Sequence, residues 1–170
     1  SSMEAAGEAL LSDRDLLDAL KILNTVPTDS GYRDGAIKQV TVKLNTYYIV
    51  KRFYRVVIYN EAGDVFASYD FNSRKVVDSV PKEQEVWTCQ AEKLRGKAVL
   101  IPLHKDLWGM YDKGCTFGLL RGIVGYGAYL EVQQTEDILN QIFNTYDDNI
   151  KVIAMFREGE LFYNTAGRET

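Results

Sequence analysis

Three strand-like segments follow one another through the middle of this chain with very little between them. Ala98-Val-Leu-Ile-Pro-Leu103 is a buried-type run. Thr116-Phe-Gly-Leu-Leu-Arg-Gly-Ile-Val124 is a second strand and Tyr129-Leu-Glu-Val-Gln133 a third. The first link is a loop, 104–114, and the second a glycine turn at Gly125-Tyr126-Gly127. Parallel neighbours need a crossover connection, usually a helix. Neither link has room for one, so the sheet is expected to be antiparallel. Pro102 cannot donate to a ladder and marks its strand as an edge or an end.

The rest of the chain is read around that sheet. Ser12 reads as a helix cap, with Leu16, Leu17, Leu20 and Leu23 at helical spacing behind it. Ile37, Val40 and Leu44 fit a second helix over 34–50, although Val40, Val42 and Leu44 also alternate as a strand would. Tyr54-Arg-Val-Val-Ile-Tyr-Asn60 and Val65-Phe-Ala-Ser-Tyr69 flank an acidic glycine turn and predict a hairpin. The polar stretch 72–84 has room for one short helix over 73–78, and Val86-Trp-Thr-Cys89 reads as a short strand or extended loop. Thr135 is a candidate cap for a helix whose apolar face is Ile138, Leu139, Ile142 and Phe143. A last hairpin runs from Ile150 to Tyr163. It fits either a second copy of the first hairpin, cut short, or further strands of the same sheet. The expected class is α+β, an antiparallel sheet with helices against one face.

Composition narrows the function classes. The chain has 170 residues, 46% apolar and 26% charged, which is globular and rules out a disordered tail or a coiled-coil rod. A net charge of −4 lacks the basic footprint of nucleic-acid binding. No run approaches the ~20 apolar residues of a membrane span, and no signal-peptide pattern opens the chain. Ser1-Ser2-Met3 fits a piece excised from a longer protein. Cys89 and Cys115 are the only cysteines and fit one disulfide or two free thiols.

Few residues suggest chemistry. His104 is the only histidine, and no metal spacing or nucleophile elbow accompanies it. Asp106 lies two residues on, on the same side of a strand. Trp108 and Tyr111 are large aromatics in a loop, which plug a core or line a pocket. Arg121 interrupts an apolar strand and, if turned inward, needs an anion. The glycines at 118, 122, 125 and 127 have the spacing of no phosphate-binding loop. No cofactor motif is present.

The hairpin word Tyr54-Arg-Val-Val-Ile-Tyr-Asn-Glu-Ala-Gly-Asp-Val-Phe resembles the opening hairpin of the Cache (PDC) sensor domains, the extracytoplasmic relatives of PAS. Phe117-Gly-Leu-Leu-Arg-Gly-Ile, then Gly127-Ala-Tyr-Leu-Glu-Val-Gln-Gln134 and Thr135-Glu-Asp-Ile-Leu, is similar to their closing strands. The wording is nearest to sensor regions of bacterial transmembrane histidine kinases and covers roughly 12–145. The resemblance implies a PAS-like antiparallel sheet packed by N-terminal helices. It implies stalk and packing helices over 12–50, a sensor module over 52–146, and at 150–170 a hairpin that could open a membrane-proximal second module. It also implies a non-catalytic, extracytoplasmic portion of a membrane-anchored receptor that binds a small molecule and pairs with a second copy through its N-terminal helices. The expected ligand-binding residues are His104, Asp106, Trp108, Tyr111 and Arg121. Two alternatives stand beside it: a small hydrolase or transferase using His104, and a PAS-like or profilin-like scaffold that binds only protein partners. The amino-acid-binding signature of some double Cache domains is not recognisable here.

Overall fold

The computed structural model describes residues 2–27, 29–46, 53–68, 76–110, 114–138, 154–157 and 160–164. Three helices open the chain: α1 (Ser2–Leu11), α2 (Arg14–Thr25) and α3 (Gly31–Thr46). The cap of α2 is Asp13, one residue beyond the expected Ser12. Its carboxylate accepts the Leu16 backbone N–H at 3.1 Å, while the Ser12 hydroxyl donates back to the Glu8 carbonyl. Either side chain suits the position, but a carboxylate also opposes the positive end of the helix. Helix α1 has no counterpart in the sequence reading. The second predicted helix is present as α3, with Ala36, Val40 and Leu44 buried on one stripe.

Strands β1 (Arg55–Asn60), β2 (Val65–Ala67), β3 (Val99–Lys105), β4 (Cys115–Ile123) and β5 (Ala128–Thr135) form one antiparallel sheet in the order β2-β1-β5-β4-β3. The short links predicted this, and they do join β3 to β4 and β4 to β5. Pro102 lies on the edge strand β3, where the register to β4 shifts between Ile101 and His104. A separate two-stranded sheet, β6 (Ala154–Arg157) and β7 (Glu160–Asn164), accounts for the last hairpin.

Strand alternation divides the core in two. Val56 and Ile58 of β1 and Leu130 and Val132 of β5 face α2 and α3, and meet Leu16, Leu20, Leu23, Val40 and Leu44. Arg55, Val57 and Tyr59 point the other way, beside Tyr129, Glu131 and Gln133 of β5, which they face across the ladder. That second face is not open. It is covered by α4 (Glu85–Lys93), a 3-10 turn at Lys82–Gln84, and the segment carrying Trp108.

Helix α4 corrects the strand or loop expected at 86–89. Its Val86, Trp87 and Thr88 favour strands by propensity, and only Ala91 is fully buried, so no apolar stripe announces a helix. Pro81, the preceding turn and the acidic Glu85 set it up instead. Of the short helix expected at 73–78, residues 73–75 lie outside the described residues and 76–78 are not helical: Val76 instead forms a bridge with Gly109. The helix expected after Thr135 lies outside them from Leu139 onward. Cys89 and Cys115 are free thiols.

Candidate functional site

A chain of polar side chains crosses the α4-covered face of the sheet. Arg55 is buried and makes a two-pronged ion pair with Asp106, at 2.8 Å and 3.0 Å. Its Nη1 also donates to Gln133 Oε1 at 3.0 Å. Gln133 passes the connection on, since its Nε2 donates to Glu131 Oε1 at 2.7 Å. Glu131 Oε2 accepts two further bonds, from Trp108 Nε1 at 3.0 Å and from Gln84 Nε2 at 2.8 Å. Gln84 Nε2 lies 3.5 Å from the Tyr59 hydroxyl, which is 2.7 Å from the Thr88 hydroxyl on α4. Gly118 makes room for this: a Cβ there would sit 2.8 Å from the Val132 carbonyl and 3.3 Å from Glu131 Oε1.

The electrostatics are unbalanced. Arg55 is satisfied by Asp106; among the described residues no Lys or Arg pairs with Glu131, and the charge of His104 acts on it from the rim. Glu131 is fully buried, and burial pushes its carboxyl above the usual carboxylate range, against its hydrogen bonds from Gln133 and Trp108, the charge of His104 and the hydrogen bond from Gln84. Two buried acceptor-capable atoms in this layer lack a partner, Gln84 Oε1 and Thr116 Oγ1. With Glu131 ionised, the amide of Gln84 cannot be turned to help, because its oxygen would then face the carboxylate.

Aromatic rings wall the network. Trp108, Tyr59 and Tyr129 stand in a row, with centroids 5.3 Å and 5.1 Å apart. Burial pushes the Tyr59 hydroxyl up to about 12. Burial also raises Tyr129, together with the bond its hydroxyl donates to Glu92 of α4. Outside this row lies a groove of about 410 Å³, lined by Tyr59, Thr88, Glu61, Glu85, Glu92 and Lys82 among others. A second groove of about 450 Å³ lies across the Tyr129–Glu92 contact.

The structure brings two of the five expected residues into the network, Asp106 and Trp108. His104 sits at its rim. Its Nδ1 donates to the Pro102 carbonyl at 2.8 Å, and its ring packs 4.7 Å from that of Trp87. Arg121 is on the opposite face, where its side chain lies against Gly7 of α1. Tyr111 lies outside the described residues. Sequence reading missed Arg55, Tyr59, Gln84, Glu131 and Gln133. The Glu131 and Gln133 alternation was visible, but it reads as a solvent face unless that face is known to be covered.

No family model and no curated protein matches the chain. Solved structures do. The ligand-binding domain of the Campylobacter jejuni chemoreceptor Tlp3, in complex with L-norvaline, superposes with a TM-score of 0.58 at 15% identity, over 96% of this chain and 65% of that one. The Tlp3 sensory domain gives 0.58 at 16% identity, over 96% and 75%. The ligand-binding domain of Pseudomonas fluorescens chemoreceptor CtaA, in complex with L-leucine, gives 0.52 at 15%, over 92% and 63%. This chain thus spans about two thirds of the length of such domains. The fold is that of the Cache (PDC) sensor domains.

Proposed function

We propose that the chain is an extracytoplasmic, non-catalytic sensing domain of a membrane signal-transduction receptor, and that it binds a small molecule on the α4-covered face of its sheet. The observation that carries this reading is the buried polar network behind an open groove, with acceptors left without donors. A purely structural core has no use for such a network: a half-satisfied one costs more than apolar packing would. The fold supports the reading, since its solved relatives Tlp3 and CtaA hold small ligands.

In this proposal the ligand enters by the groove beside α4 and is met by Tyr59, Gln84, Trp108 and Glu131. Asp106 and Arg55 hold Trp108 and Gln133 in place, and His104 lines the rim. Arg121 is left out, because strand parity turns it toward α1. A ligand that binds one arrangement of α4 better than another shifts the population between two receptor states. Arg33 offers a route to the helices. It donates to the Leu23 carbonyl at the end of α2 and pairs with Asp64 in the β1–β2 turn, whose Asn60, Glu61 and Gly63 border the groove. The greater length of the solved domains supports reading β6 and β7 as the start of a second, membrane-proximal module. The resemblance favours a histidine kinase as output, and the neighbours favour a chemoreceptor.

The test is a thermal-shift screen of the chain against amino acids, amines, carboxylates, purines and sugars. A ligand that binds only the native state stabilises it by ~2.7 kcal/mol at a hundredfold excess over Kd. A hit that disappears in Tyr59→Ala supports the site. A hit that survives Tyr59→Ala and Trp108→Phe sinks it. The hydrolase reading needs a nucleophile or second acid–base group beside His104. It returns only if turnover is found and His104→Ala abolishes it.

A further inference from the structure

Helix α4 covers the polar face of the sheet with little apolar surface of its own. Of its nine residues Ala91 alone is fully buried; Trp87 and Thr88 are half-buried, and Glu85, Val86, Cys89, Gln90, Glu92 and Lys93 are exposed. Among the described residues, what ties it down is a line of side-chain tips. At the N-terminal end Gln84 donates to Glu131 at 2.8 Å, with Gln84 Oε1 left bare. In the middle the Thr88 hydroxyl lies 2.7 Å from that of Tyr59, and the Trp87 ring tilts against His104 with centroids 4.7 Å apart. At the C-terminal end Glu92 accepts from the Tyr129 hydroxyl. Helix α2, by contrast, sinks Leu16, Leu20 and Leu23 completely into the other face. Exchanging a protein hydrogen bond for one to water costs little net, whereas an aliphatic side chain drawn out of a core loses its whole transfer energy.

We infer that α4 is a lid, latched by Glu92 and Tyr129, which leaves the sheet in a local opening while the five strands and the α2–α3 layer stay folded. Nine residues are too few for a helix to persist alone, so α4 gives up its backbone bonds when it lifts. A pivot lies at its C-terminal end, where Arg95 (φ 46°) and Gly96 (φ 87°) turn the chain toward β3 in the left-handed region. Arg95 is the one non-glycine residue with a positive φ among those described, and a lifted α4 frees it from a conformation its side chain disfavours. The latch stands between the two grooves: Glu61, Glu92 and Tyr129 line both. Opening it therefore joins them into one cleft along the Tyr59–Tyr129 stack. The lid supplies the two arrangements of α4 that the sensor reading above requires, yet it is a property of the free chain and is measured without a ligand.

The test is amide hydrogen exchange on the ligand-free chain, in urea well below its unfolding transition. Amides 89–93 of α4 are compared with those of the central strand β5. The α4 amides should exchange about a hundredfold or more faster than those of β5, at rates that urea barely changes. Ile58→Val weakens only the α2–α3 side of the sheet. It should speed β5 about twofold to tenfold and leave α4 unchanged. Tyr129→Phe removes the latch and should speed α4 about fivefold or more. If α4 and β5 exchange at one rate, or Ile58→Val speeds both alike, α4 leaves only when the whole domain unfolds and the lid is overturned. An early-exchanging α4 that ignores Tyr129→Phe would overturn the latch. Should either variant not fold, the wild-type comparison decides on its own. The outcome is separable from the sensor reading. Early exchange of α4 with no binder in the wider screen sinks that reading alone, and a binder on a chain whose α4 and β5 exchange together sinks the lid alone.

Discussion

The two faces of the sheet are made by the same strands and are chemically unlike. In β5, Leu130 and Val132 enter an aliphatic cluster with α2 and α3, while Glu131 between them enters a network of charges and amides. In β1, Val56 and Ile58 lie on one side, and Arg55 and Tyr59 on the other. Every β1 residue is buried, so burial alone does not separate the two sets. What separates them is whether buried groups are self-sufficient. Apolar contacts ask nothing of a ligand. A buried amide oxygen without a donor, beside a buried carboxyl with no Lys or Arg paired to it, does. The helical face serves stability, the proposal above gives recognition to the α4 face, and on that proposal substitutions should divide the same way.

The largest effect should come from Asp106→Ala. It leaves Arg55 charged and buried without its partner, and removing one member of a buried pair costs about 3–5 kcal/mol. Urea unfolding should show that loss, and adding Arg55→Met should recover most of it, because a buried pair replaced by apolar groups is often neutral. No recovery in the double variant would mean that the pair is not the isolated unit drawn here. On the other face, Leu130→Ala should cost about 2–5 kcal/mol through lost burial and a cavity. Its ligand response, measured well below its melting point, should match the wild type. A changed affinity would break the division between faces.

A smaller effect tests the helical layer alone. Asp13→Ala removes the cap of α2 and should cost about 1 kcal/mol. Ser12→Ala should cost less, since its hydroxyl only donates back to the Glu8 carbonyl. Equal losses in chemical denaturation would return the cap to Ser12.

How far the sequence could be read follows the same division. The antiparallel sheet was legible from two links too short for a crossover, and α2 from leucines at helical spacing. Asp106 and Trp108 were legible because polar and aromatic residues after a buried strand are unusual. Glu131, Gln133 and Arg55 were not. Alternation says which residues share a face, but not whether that face meets water. The answer depended on α4, and α4 hid behind strand-forming Val86, Trp87 and Thr88 with a single buried position, Ala91. Leu120 and Arg121 had to lie on opposite faces. It took the cover on both faces to show that Leu120 joins the α4 side and Arg121 the side of α1.

The smallest effect at acid pH is also the sharpest test, because its growth with pH separates the faces. Burial raises the Glu131 carboxyl in the folded chain. Between the ordinary carboxylate range and that raised value, the native state holds more protons than the unfolded one, so stability falls as pH rises. Glu131→Gln is neutral at every pH and lacks this slope. Below the ordinary carboxylate range the two proteins should be nearly equal in stability. The variant should gain on the wild type as pH climbs, until Glu131 is fully ionised in both states. Arg55, Asp106, His104 and Tyr59 face the same space and are present in both proteins, so the difference reports Glu131 together with its electrostatic coupling to His104. Leu130→Ala measured beside it should differ from wild type by an amount that does not vary with pH. A flat difference for Glu131→Gln, or one that favours the wild type as pH rises, would mean that His104 already offsets the burial of Glu131 in the free protein. The α4 face would then be as self-sufficient as the helical one, and the case for a ligand there would go with it.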